Sequence, residues 1–250
     1  MAQIGHGYGS EFHLMRFMGH HRELFEQVIS DAIGEKGTFH WLDFGFVPPM
    51  SSISGDRELK GFAFLKELVQ KEKYESFINE YHSYKIGKID SWQNWDAIFI
   101  LNDTFYLVEA KAHPSEISSG EKEHGNKSKK EILRYFKEQL SDYNVNVTSE
   151  WLKDYYQLAN RLASAALLNK HGIKAKCLCI FFTHGFNKRI VEKIDGHEKI
   201  IKVYEDKKST KEGFVEEINK EHQTLGIDSI ALEAILSKPV FINAETGEKE

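Results

Sequence analysis

Two apolar runs joined by a two-residue turn constrain this chain more than any other stretch. The first is Trp95-Asp96-Ala97-Ile98-Phe99-Ile100-Leu101; the second ends in Tyr106-Leu107-Val108-Glu109-Ala110-Lys111. Asn102-Asp103 lies between them, a pair of the type that closes β-hairpins. Pairing about that turn sets Leu101 against Thr104, Ile98 against Leu107 and Asp96 against Glu109. Lys111 stands two residues beyond Glu109, so it points to the same side. One face of the hairpin carries Ile98, Ile100, Phe105 and Leu107, and the other Ala97, Phe99, Leu101, Tyr106 and Val108. A strand pair that is apolar on both faces belongs inside a sheet covered on both sides.

Three charged groups therefore converge at one end of an apolar hairpin. Like charges set directly opposite each other destabilise a sheet. Two carboxylates ~4–5 Å apart repel by roughly 3–4 kcal/mol at an effective dielectric near 20. Three things can offset that: a proton on one acid, the ammonium of Lys111, or a divalent cation bridging the pair. Carboxylate oxygens with open positions for water suit Mg²⁺ or Mn²⁺. The bland alternative is a buried Asp/Glu/Lys cluster that only ties strands together, and such clusters are poor stabilisers.

An Asp at the start of one strand followed by Glu-x-Lys at the end of the next resembles the PD-(D/E)xK nuclease superfamily, the restriction-endonuclease-like fold. Here the pattern reads Trp95-Asp96, then Glu109-Ala110-Lys111; the proline of the pattern is replaced by Trp95. The resemblance spans roughly residues 56–185. It implies metal-dependent hydrolysis of phosphodiester bonds, with Mg²⁺ or Mn²⁺ on Asp96 and Glu109. The Ala110 carbonyl completes the shell, and Lys111 orients the attacking water and offsets charge on the phosphate. It further implies a Glu from the first core helix in the metal shell, matched by Glu58, with Glu67 the weaker match. A Gln or basic residue on the helix after Glu-x-Lys is matched by Gln157, with Arg161 one turn on as a second substrate-binding side chain.

The flanking sequence sets the expected frame. Residues 11–33 read as one helix, with Ser10 as its cap and Gly34 as its end. His6, His13, His20 and His21 on or near it read as a surface face rather than as metal ligands. Residues 35–55 read as a loop with a short strand near Trp41–Phe46, and residues 56–81 as a second helix with Leu59, Phe62, Leu65, Leu68 and Val69 on its apolar stripe. Tyr84–Ile89 is the expected first core strand. Ser128 and Glu131 mark a capping box for a helix to about Asp142. A further helix is expected from Ser149 to about His171, on which Gln157, Asn160, Arg161 and Ser164 form a narrow polar stripe. Such a stripe ordinarily faces solvent. Lys176–Thr183 reads as the last core strand, Asn187–Ile194 and Lys199–Glu205 as a hairpin about Asp195-Gly196, and Ser209 with Glu212 as the start of a helix to about His222. The last ten or so residues read as a frayed polar tail.

With 250 residues, 41% of them hydrophobic, the chain can bury one core with elaborations. The expected fold is α/β: three layers, α/β/α, around a central mixed sheet. Residues 1–55 form an N-terminal helical extension and loop, 56–205 a nuclease-like core, and 206–250 a C-terminal helix and tail. The expected location is the cytoplasm, since Met1–His6 lacks a basic-then-apolar leader and two cysteines alternating on one strand suit a reducing compartment. No apolar run reaches membrane-spanning length, so no membrane partner is expected. The net charge of -5 argues against strong non-specific nucleic-acid binding. Local basic groups (Lys127, Lys129, Lys130, Arg134, Lys137; and Lys174, Lys176, Lys188, Arg189) read as solvated faces or as phosphate contacts. The expected activity is a metal-dependent nuclease acting on DNA, less so RNA, with pairing of two copies by family analogy. The alternatives are a catalytically inactive nucleic-acid-binding module, a protein-interaction scaffold, or hydrolysis of another phosphate ester.

Overall fold

The structure is a computed structural model that describes residues 9–42, 59–86, 92–118, 126–184, 188–194, 197–204 and 209–250. Its centre is the expected hairpin. Strand β4 (Ala97–Leu101) pairs antiparallel with β5 (Thr104–Lys111), Leu101 against Thr104 and Ile98 against Leu107. Asn102 and Asp103 both take left-handed backbone, with φ of 48° and 62°. A two-residue turn of this hand matches the twist of the strands it joins, and Asn and Asp tolerate it best after Gly. Extending the register by one step sets Asp96 opposite Glu109.

Three further strands complete the sheet. β6 (Ala175–Thr183) runs parallel to β5, and β9 (Val240–Asn243) runs parallel to β6. β1 (His40–Trp41) pairs antiparallel with β4, giving the order β1-β4-β5-β6-β9. Two small antiparallel pairs lie outside it: β2 (Leu59–Lys60) with β3 (Asn94–Trp95), and β7 (Lys188–Ile194) with β8 (His197–Tyr204). The last pair is the hairpin expected on either side of Asp195-Gly196, a turn that itself lies outside the described residues.

Helices cover both faces of the sheet. Even-numbered β5 residues such as Tyr106 and Val108 meet Phe17 and Phe25 from α1 (Ser10–His20) and α2 (Arg22–Ile33). Odd-numbered ones such as Phe105 and Leu107 join a larger core with α3 (Lys71–Ser83), α4 (Asn126–Gln139), α5 (Tyr156–Lys170) and α6 (Lys211–Leu225). α5 is buried nearly all round, because the sheet lies on one side and other helices on the rest. Its Leu162 and Leu167 are fully buried, each worth about 1.5–3 kcal/mol of apolar burial.

Several boundaries differ from the sequence reading. The helix expected over residues 11–33 breaks at His21, whose backbone leaves the helical region while its N–H still bonds the Phe17 carbonyl. Gly9 rather than Ser10 caps it, and without a side-chain bond. His13 is not on a surface face but is buried. Residues 59–83 are a strand, a 3₁₀ turn (Ala63–Glu67) and a helix rather than one helix. The first strand expected at Tyr84–Ile89 is not one over residues 84–86, where Tyr84 instead donates to Glu138 (2.7 Å); residues 87–89 lie outside the described ones. The edge strand beside β4 is β1. α4 begins before Ser128, and Ser149–Leu152 form a separate 3₁₀ turn ahead of α5. α6 is capped by the side chain of Thr210, which accepts from Gly213 N–H, and it continues to Leu225. The tail is not frayed: β9 adds a fifth strand, and Asn243 N–H bonds back to the Glu248 carbonyl (2.9 Å).

Candidate functional site

The odd parity of Glu109 and Lys111 on β5 puts both side chains on the sheet face beneath α5 and α6. Asp96, one residue before β4, shares that face through the parity of Ile98. All three sequence-predicted residues thus meet on one side, at the end of the sheet where β5 and β6 finish. Ligands of open α/β sheets gather at this end, outside the carboxyl ends of parallel strands.

Lys111 Nζ donates to Glu109 Oε1 (2.6 Å) and to Gln157 Oε1 (2.9 Å). The first turn of α5 therefore reaches the site, as expected for Gln157. Arg161, one turn further, lies 2.8 Å from Glu109 Oε2. That contact is an ion pair without hydrogen-bond alignment, so Oε2 is a buried oxygen with no hydrogen bond among the described residues. The guanidinium also donates to the Asn94 carbonyl and packs over the Trp95 ring, 4.7 Å from its centroid. Ala110 N–H donates to Asp96 Oδ2 (2.8 Å), which fixes the aspartate across the strand pair.

The polar stripe on α5 is not a solvent face. Asn160, Arg161 and Ser164 are buried, and only Gln157 keeps partial exposure. Gln93 donates to both Asn160 Oδ1 (2.5 Å) and Ser164 Oγ (3.0 Å), a hydrogen-bonded layer behind Arg161. Buried polar groups persist where partners satisfy them; here they hold the arginine in place.

Two acids that the sequence reading did not assign also face the cluster. Glu116, in the 3₁₀ turn Pro114–Glu116, accepts from Ala112 N–H (3.1 Å) and its charge acts on Lys111. Glu221, on α6, is buried, and its carboxyl feels the charges of Lys111 and Glu109. Glu221 sits on a helix far along the chain, with no local spacing to announce it. Glu58 lies outside the described residues, and Glu67 is exposed at the end of a 3₁₀ turn.

The electrostatics follow from this count. Four carboxylates (Asp96, Glu109, Glu116, Glu221) share the space with two cations, Lys111 and Arg161. Desolvation, then the charge of Glu109, pushes the Asp96 carboxyl up to about 7. Desolvation pushes Glu221 up to about 8. Glu109 is also desolvated, but Lys111 and Arg161 outweigh that and hold its pKa below the usual range. For Lys111 the desolvation penalty is likewise outweighed, by Glu109 and Asp96, so its pKa rises and it stays an ammonium. The cluster thus carries two more acids than bases, an excess that either protons or one divalent cation can neutralise.

Two carboxylates on facing strands and an excess of negative charge are the donor chemistry that a small hard cation takes, with both Glu109 oxygens paired to Lys111 and Arg161 in this arrangement. Among the described residues, no group of three or more His, Cys, Asp and Glu side chains is arranged to hold a metal ion. Cys177 and Cys179 are both free, as the strand spacing predicts. No described helix is long and apolar enough to cross a membrane. No family model, no curated protein and no solved structure matches the chain.

Proposed function

We propose that the chain is a metal-dependent phosphodiesterase, a nuclease of the PD-(D/E)xK kind, acting on DNA or less readily on RNA. The observation that carries this reading is the meeting of Asp96, Glu109, Lys111 and Gln157 on one face at the carboxyl ends of β5 and β6. The hairpin, the helix after it and the parallel strand beyond agree with the context on which the resemblance rested. Asp96 and Glu109 would hold Mg²⁺ or Mn²⁺. The bound ion supplies a more acidic water and a polarised phosphoryl oxygen.

The chain's own groups divide the remaining work. Lys111, held charged, cannot serve as a proton acceptor at neutral pH; it orients the attacking water and offsets charge building on the phosphate. Gln157 fixes the direction of that ammonium. Arg161 is ion-paired to Glu109 and donates to the Asn94 carbonyl, so its part is to position Glu109 rather than to touch substrate. Trp95, in the place of the family's proline, provides the ring on which Arg161 rests.

The test is incubation with linear, circular, single-stranded and branched DNA, and with RNA, in Mg²⁺, Mn²⁺ or EDTA. Cleavage should require the metal. Asp96→Asn and Lys111→Met should abolish it while circular dichroism stays unchanged. Full activity in Asp96→Asn would falsify the reading. A second reading, an inactive nucleic-acid-binding module, is favoured by one observation: both oxygens of Glu109 already face internal cations. It predicts binding of an oligonucleotide without turnover under every metal condition.

A further inference from the structure

Beside the acid cluster the chain leaves a pocket of about 600 Å³. Leu158, Phe181 and Ile218 supply apolar walls, while Glu221, His222 and Cys179 supply polar atoms. That volume and mixture are those of a small-molecule site rather than a packing defect. The pocket and the cluster share a wall. Cys179 pairs in register with Glu109, so the two strands put them about 4.8 Å apart. Glu221, 6% exposed, lines the pocket, and its carboxyl feels the charges of Lys111 and Glu109. A carboxyl at a pocket wall offers oxygens to the N–H groups of a ligand.

We propose that this pocket takes one unstacked nucleobase from the strand whose phosphate occupies the Asp96–Lys111 site. The inference rests on the phosphodiesterase reading and deepens it by naming the substrate form. A nucleobase offers what the walls need: flat apolar faces for Leu158 and Ile218, and N–H groups for a carboxyl such as Glu221 to accept. Lys238, exposed at the pocket rim, carries the charge to meet a neighbouring phosphate. A base within a duplex cannot reach such a recess without leaving the stack. The preferred substrate is therefore single-stranded, or a duplex at a site where one nucleotide swings out.

The experiment uses the full chain with a single-stranded oligonucleotide carrying one 2-aminopurine, in EDTA and in Ca²⁺. Binding should raise 2-aminopurine fluorescence at least about twofold, as unstacking does. Replacing that nucleotide by an abasic one should weaken binding by about tenfold. Glu221→Leu, which removes the acceptor, and Ile218→Trp, which fills the space, should each remove the fluorescence rise; circular dichroism checks that both fold. Equal binding and cleavage of intact and abasic strands, with no fluorescence change, overturns the pocket inference and leaves the phosphodiesterase reading standing. Failure of every oligonucleotide to bind or be cut in Mg²⁺ or Mn²⁺ overturns both.

Discussion

Arg161 lies 2.8 Å from the carboxylate of Glu109, and both side chains are 5% exposed. An arginine from α5 thereby neutralises an acid of β5 across the main core. Removing one member of a buried pair costs far more than the pair contributes. Arg161→Ala should lower stability by about 3–5 kcal/mol in urea unfolding. The double variant Arg161→Met with Glu109→Gln should recover part of that loss: the Arg161–Glu109 pair is then removed whole, while Lys111 loses its carboxylate partner and keeps Gln157.

A divalent cation should stabilise the folded chain by relieving its surplus of acids. At a Mn²⁺ concentration one hundred times its Kd, linkage gives about 2.7 kcal/mol. For a chain of this size that is a rise in Tm of several degrees. Scanning calorimetry with Mn²⁺ should show the rise in the natural protein and not in Asp96→Asn. No rise in the natural protein would remove the cation from the site.

His13 makes part of the stability of the fold depend on pH. It is buried between the rings of Phe12 and Phe182, with centroids 5.5 Å away in each case, and neither ring nitrogen has a hydrogen bond among the described residues. Burial first, and the charge of Arg16 second, lower its pKa from 6.5 to about 4. The unfolded chain therefore binds a proton that the folded chain refuses. Stability from this group is full above pH 6.5, falls as the pH drops below that value, and levels off below about 4. At about 1.4 kcal/mol per pH unit the total is on the order of 3 kcal/mol. His13→Phe should flatten the unfolding free energy over that window.

β9 belongs to the core, so its truncation should behave as a core change. Ile242 is fully buried against the face covered by α1 and α2. Ile242→Ala should cost about 2–5 kcal/mol, measured by denaturant unfolding. A change within 0.5 kcal/mol, the range of surface substitutions, would return the last residues to a loose tail.

What the sequence could disclose depended on how locally each feature is encoded. The hairpin was legible because its turn is two residues long and its strands are apolar on both faces, so a single register satisfies both. Asp96, Glu109 and Lys111 followed from that register alone. The polar stripe on α5 was misread because spacing cannot say which way a stripe faces: a polar row toward a charged site has the same period as one toward water. Glu221 and Glu116 met the cluster through tertiary folding, which no local pattern encodes. β9 was missed because Val240-Phe241-Ile242 is too short an apolar run to stand out from its polar surroundings. The strand expected near Tyr84 failed for another reason. Tyr84 is apolar enough for a strand, but its hydroxyl is committed to Glu138 and Gln139 on α4.

The brevity of the Asn102-Asp103 turn has a chemical consequence. Strand side chains alternate, so a slip of one position inverts every residue of β4 relative to β5. Inserting a single amino acid there would swing Asp96 to the opposite side of the sheet, among the phenylalanines of α1 and α2. The acid pair would be broken without touching either acid, which makes the length of this connection as much a part of the chemistry as the groups it aligns.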